Sequence, residues 1–187
     1  VIEFASSTIR TIAGNGACNV ADGAGTLASL YYPSSIWVSS SADVYFIDAG
    51  YCKVRKVSSS GIVSTIGGTS CGYTPATVTP SSGVAVSSAY FWRPQAICGR
   101  GNNFYIATQT EQLLLRVNIP SGIMTRSAGF GFTLPYSRTD GIAATSITFN
   151  NLDGCYANLQ GDVMMMESNN AVVWKIVSPT STQPLLV

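Results

Sequence analysis

The apolar residues of this chain come in short bursts. Val44-Tyr45-Phe46-Ile47, Phe104-Tyr105-Ile106-Ala107 and Val163-Met164-Met165-Met166 are examples, most of them bounded by Gly, Ser, Asn or Asp. Runs of this length, rich in β-branched and aromatic side chains, are strand signals. Ser58-Ser59-Ser60-Gly61 has the chemistry of a hairpin turn, with a glycine available for positive φ. No stretch sustains the spacing of an amphipathic helix with capping residues, and Leu113-Leu114-Leu115 is short enough to be a buried strand. The pattern predicts an all-β chain.

The bursts recur in order. Tyr32-Pro33, Asp43 to Asp48, Val54-Arg55-Lys56-Val57, Ser60-Gly61 and Thr65-Ile66-Gly67-Gly68 return as Arg93-Pro94, Asn103 to Ala107, Leu115-Arg116-Val117, Ser121-Gly122 and Ser127-Ala128-Gly129. A third pass runs through Asn151-Leu152, Asp162 to Glu167 and Trp174-Lys175-Ile176. The period is roughly 60 residues, long for a propeller blade because each repeat opens with a long connection. Each repeat reads as four short strands, which predicts a β-propeller with four-stranded antiparallel blades.

The blades fall at 13–66, 67–127 and 128–187, the last including a Ser/Thr/Pro-rich turn at 178–184 and an outer strand Gln183–Val187. Val1-Ile2-Glu3-Phe4 aligns with Val54 to Val57, and Ile9-Arg10-Thr11-Ile12 with Val63 to Ile66, so 1–12 reads as the second half of a preceding blade. About three and a half blades are too few to close a ring at ordinary blade size. The expected partner is therefore protein: the rest of a longer chain, which is favoured, or further copies closing a ring or stacking into a filament.

Thr11-Ile12-Ala13-Gly14-Asn15-Gly16, Asp22-Gly23, Pro33, Ile36, Val44 to Asp48 and Val54 to Val57 together resemble the NHL repeat family of β-propellers. The resemblance implies rings of about six blades. It also implies that most members bind other molecules and a few are enzymes. Asp48 is replaced by Thr108 and Glu167 in the later repeats, and Pro33 by Leu152.

Composition narrows the function. Only 10% of the 187 residues are charged, the net charge is +1, there is no histidine, and 24 Ser and 17 Thr supply the polarity. Balanced charge argues against nucleic-acid binding. Without histidine this chain cannot run a Ser-His-Asp or Cys-His mechanism or a His-ligated zinc site. No apolar run approaches the 18 or so residues of a spanning helix, so membrane insertion is not expected. Abundant hydroxyls with few Lys and Glu suit an extracellular or cell-surface protein. None of the ten Asn begins an N-x-Ser/Thr acceptor. Ser178, Thr180, Ser181 and Thr182 lie in a segment whose composition resembles an O-glycosylated linker.

The candidate chemistry is sparse. Cys18 and Cys71 occupy equivalent connections, and Cys52 lies between the second and third strands of its blade, so all three emerge on one end of the propeller. Cys18–Cys52 and Cys52–Cys71 are equally good disulfides on this reading. Cys98 and Cys155 fall on innermost strands and read as small buried hydrophobes. Asp22, Asp48, Asp140 and Asp153 read as turn caps rather than Ca²⁺ ligands, and Gly14-Asn15-Gly16 as a turn rather than a phosphate loop. Lys56, Arg116 and Lys175, one per repeat, read as solvated or blade-bridging charges, and Met164 to Met166 as core filling. Tyr31, Tyr32, Tyr90, Phe91 and Trp92 precede innermost strands and form either inter-blade packing or a surface for protein or carbohydrate.

No cofactor, metal or catalytic residue is expected. The expectation is a non-catalytic extracellular NHL-like propeller serving as a structural or protein-interaction scaffold in a larger cell-surface or filamentous assembly. The alternatives are a lyase- or lactonase-like propeller enzyme whose metal site lies elsewhere, and a carbohydrate-binding propeller.

Overall fold

A computed structural model describes residues 8–72, 83–131 and 139–177. The first sheet holds β1 (Gly23–Ala24), β2 (Pro33–Val38), β3 (Val44–Asp48), β4 (Lys53–Val57) and β5 (Ile62–Gly67), in the order β1-β5-β4-β3-β2. The second holds β6 (Val84–Ala85), β7 (Pro94–Arg100), β8 (Asn103–Thr108), β9 (Leu113–Asn118) and β10 (Ile123–Ala128), in the order β6-β10-β9-β8-β7. The third holds β11 (Leu152–Ala157), β12 (Val163–Glu167) and β13 (Val172–Ile176), in sequence order. All pairings within the sheets are antiparallel, and the described residues contain no α-helix.

The strands β2, β7 and β11 stand side by side. Ser34 Oγ donates to the Gln95 carbonyl at 2.9 Å, the Ile97 amide donates to Ser35 Oγ at 3.0 Å, and Cys98 and Cys155 join β7 to β11. The β2–β7 contacts advance together along both strands, so these two run parallel. The sheets pack face to face behind them, with one core between the first and second and another between the second and third. This is the β-propeller the strand pattern predicts, present as three consecutive sheets.

Face-to-face packing explains the apolar bursts. In β3, Tyr45 and Ile47 enter the core shared with the second sheet, while Val44 and Phe46 join a cluster on the opposite face. Strands covered on both sides need apolar residues at successive positions, not a polar alternation. The repeat also extends to the backbone. Tyr32, Arg93 and Asn151, each one residue before an innermost strand, all hold positive φ, as do Cys52, Gln112 and Ala171 in the turns before β4, β9 and β13. Gly68 and Gly129, both at φ +88°, lie against those turns, and a Cβ there would sit 2.2 Å from the Cys52 or Gln112 carbonyl oxygen.

The short strands β1 and β6 make a fifth strand in two sheets that read as four-stranded from sequence. A two-residue strand leaves no apolar run to detect. Its placement comes instead from Asp22, whose carboxylate accepts from the Thr65 amide and hydroxyl. Asp22 also meets Arg55, which is wholly buried and donates to Asp48 Oδ2 at 2.9 Å, Asp22 Oδ1 at 2.7 Å, and the Ser29 and Ala21 carbonyls. Asp48 Oδ1 then accepts the Tyr31 amide at 2.6 Å. One guanidinium thus ties the long connection to its blade. In the third sheet Glu167 does the work of Asp48: it accepts the Asn150 amide and the Trp174 indole, each at 2.5 Å.

The charges at the Lys56 position differ from expectation. Lys56 pairs with Asp43 at 3.5 Å and Lys175 with Asp162 at 3.0 Å, in both cases within one sheet. In these two repeats the charge neither bridges blades nor stands free in solvent.

Candidate interaction surfaces

Three features carry chemistry that the fold alone does not use up: the cysteines, an aromatic cluster on one end, and two uncovered sheet faces.

Cys52 bonds to Cys71, with Cα atoms 5.1 Å apart. The bond links the β3–β4 turn to the connection entering the second sheet, and so staples two blades at one end of the propeller. Cys98 bonds to Cys155 between β7 and β11, with Cα atoms 5.7 Å apart. That corrects the reading of these two as buried hydrophobes. They lie one place apart in the repeat, and neighbouring innermost strands bring such positions together, a proximity across 57 residues that no local spacing signals. Cys18 remains a free, exposed thiol, so the Cys18–Cys52 alternative does not form.

Residues that enter the innermost strands gather on the same end as the Cys52–Cys71 bond. Tyr31 lies 4.6 Å, ring centre to ring centre, from Tyr32 and 5.1 Å from Tyr51. Tyr31 leans on Gly50, where a Cβ would fall 2.0 Å from its ring. Tyr32, Tyr90 and Trp92 are exposed, Tyr31 half-buried. Phe91 departs from the expected surface: it is fully buried and packs in the core between the first two sheets. Tyr51 belongs to the cluster too, although it lies in the β3–β4 turn rather than before an innermost strand. Tyr32, then burial, Cys18 and Tyr51 push the Tyr31 hydroxyl above the usual tyrosine range.

The acidic residues do not converge. Asp22 and Asp48 serve Arg55, Asp153 accepts from Gln109 and Asn151, and Asp140 is exposed on a turn. Among the described residues no group of three or more His, Cys, Asp or Glu is placed to hold a metal ion. Ser178, Thr180, Ser181 and Thr182 lie outside the described residues, as do 1–7 and the strand expected at Gln183–Val187.

The uncovered faces are defined by the repeat. Ile97 on β7 is 3% exposed against the first sheet, while its counterpart Ile36 on β2 is 61% exposed. Around Ile36 an apolar cavity of about 300 Å³ is lined by Ile12, Leu30, Val44, Phe46 and Val57. At the other end, Val173 on β13 is 71% exposed, although its counterparts Val54 and Leu114 are both 0% exposed. Tyr156 and Met166 are exposed beside it. Inside the molecule these positions are blade-to-blade contacts.

Two known proteins share the fold at low identity. A structural genomics protein of unknown function from Bacteroides thetaiotaomicron aligns with TM-score 0.56 and 20% identity, over 72% of this chain and 32% of its own. An auxiliary nutrient binding protein from the same organism aligns with TM-score 0.60 and 15% identity, over 79% of this chain and 37% of its own. The chain thus matches about a third of the length of each. Virginiamycin B lyase from Staphylococcus aureus aligns with TM-score 0.33 and 12% identity, over 78% of this chain and 55% of its own. No family model matches, and no curated relative does. No helix among the described residues is long and apolar enough to cross a membrane.

Proposed function

We propose that the chain is a non-catalytic, NHL-type propeller segment, extracellular or cell-surface, acting as a structural or protein-interaction scaffold in a larger assembly. The exposure of Val173, set against the complete burial of Val54 and Leu114, carries this reading. A residue that serves as blade-to-blade packing twice within the molecule is offered to another protein surface on the third occasion. Contiguous apolar exposure of this kind marks interaction sites. The two disulfides suit an oxidising compartment. The buried charges support a structural role: Arg55, Asp48 and Glu167 spend their hydrogen bonds on backbone groups and on side chains of their own sheets and connections. Cross-linking of intact producing cells with a membrane-impermeant reagent, followed by mass spectrometry, tests the proposal. Links from Lys56 or Lys175 to residues outside this sequence are expected; recovery only from the cytosol, with links confined to the chain, overturns it.

A second reading is carbohydrate binding, favoured by the Tyr31-Tyr32-Tyr51 cluster. Glycan-array binding that Tyr32→Ala abolishes without a change in Tm would support it.

A further inference from the structure

We infer that the open face of the first sheet is covered by one more blade of the same repeat, completed by residues of the parent polypeptide outside these 187, and that Cys18 is disulfide-bonded to that blade. The inference rests on the propeller fold rather than on the scaffold reading.

The face is the continuation of an interface already present. Phe91, Ile97, Phe104 and Ile106 form the side of the second sheet that packs on the first. Their counterparts Leu30, Ile36, Val44 and Phe46 form the same side of the first sheet and line the cavity there. The segment that leads from the covering blade into the first sheet is already placed. Gly14 N donates to the Gly25 carbonyl at 2.9 Å, as Gly129 N donates to the Ala144 carbonyl at 3.0 Å, where β10 leads into the third sheet. The approach is so close that a Cβ on Gly25 would lie 2.1 Å from the Ile12 carbonyl oxygen.

Cys18 identifies the occupant. Cys18 pairs with Leu30 in an isolated parallel bridge, and Cys71 pairs with Phe91 in the same way. Leu30 and Phe91 hold one repeat position, so Cys18 stands where Cys71 stands. Cys71 bonds back to Cys52, in the β3–β4 turn of the blade before it. The matching turn for Cys18 belongs to the blade before the first sheet. A second copy stacked on this face by its third sheet would present Ala171 at the Cys52 position, φ 52° against 54°, and so no thiol. The covering blade is therefore a different one.

The test compares two preparations, alkylated without reductant and mapped by mass spectrometry. The isolated 187-residue chain is expected to take one label, at Cys18, since its other four cysteines are bonded. The protein purified from the cells that make it is expected to take none at Cys18. Its non-reduced digest yields a Cys18 peptide linked to a peptide of the same polypeptide that lies outside the 187 residues and matches the Cys52 turn. Labelling of Cys18 in that native material, or its linkage to Cys18 of another copy or to an unrelated protein, overturns the proposal while leaving the scaffold reading open.

Discussion

Replacing Arg55 by Leu asks whether the buried charge network stabilises the fold or merely fits within it. The second repeat already carries the alternative: Leu115 stands where Arg55 stands and Thr108 where Asp48 stands, both of them buried. Arg55→Leu alone leaves the Asp48 carboxylate without its cation at 0% exposure. It also leaves the Ser29 and Ala21 carbonyls without their donor. Breaking a buried pair from one side costs about 3–5 kcal/mol. For a chain of this size each kcal/mol moves Tm by about 2–4 °C, so a fall of about 6–20 °C is expected. Adding Asp48→Thr restores the second repeat's pairing and removes the orphaned charge. The double variant should therefore recover at least about half the loss, a coupling of about 2 kcal/mol against the ±0.5 expected of independent sites. Urea unfolding of the four proteins at constant m-value measures it. A double variant no more stable than Arg55→Leu would refute the argument, because the cost would then lie in the lost carbonyl contacts and not in the stranded carboxylate.

Further outcomes follow from other contacts. Burial alone would raise the Asp22 carboxyl, but hydrogen bonds from Thr65 and Arg55 overcome it and hold the group below its ordinary 3.8. Its contribution is therefore complete above about pH 4 and is lost as pH falls through the lowered value, so Asp22→Asn should flatten that acid limb of the stability curve. Removing the Cys52–Cys71 bond by a double change to Ser opens a loop of 19 residues and should cost about 3 kcal/mol in oxidised protein, by calorimetry; no change would mean the bond does not form. A Cβ on Gly99 would lie 2.6 Å from the Trp37 ring, which packs between the first two sheets. Gly99→Val should therefore lower Tm and redden Trp emission, and an unshifted spectrum would contradict that packing. Tyr32→Ala, at an exposed position, should leave Tm within about 1 °C.

The architecture was legible because it is written several times over. Apolar runs unbroken by polar alternation mark strands covered on both faces, and the three passes through the Pro33, Val44 and Val54 patterns place them in propeller sheets. What escaped detection depends on contacts between repeats or on single side chains. Arg55 is one of three basic residues in β4, with Lys53 and Lys56, and only the folded connection shows that it is the one that meets Asp22 and Asp48. Cys98 and Cys155 approach because innermost strands are neighbours, not because of any spacing between them. Phe91 reads as one of a run of three aromatics, yet the turn entering β7 directs it inward while Tyr90 and Trp92 stay in solvent.

On the proposed reading, the outer faces of the first and third sheets are blade-to-blade faces covered by a neighbour. Hydroxyl-radical footprinting at Ile36, Met166 and Val173 tests it most directly, with the buried Ile97, Met165 and Val54 as references. In the isolated chain the first three should label quickly and the second three slowly. In protein taken intact from the cells that make it, all six should be protected alike; rapid labelling of Ile36 and Val173 in that native material would contradict the account.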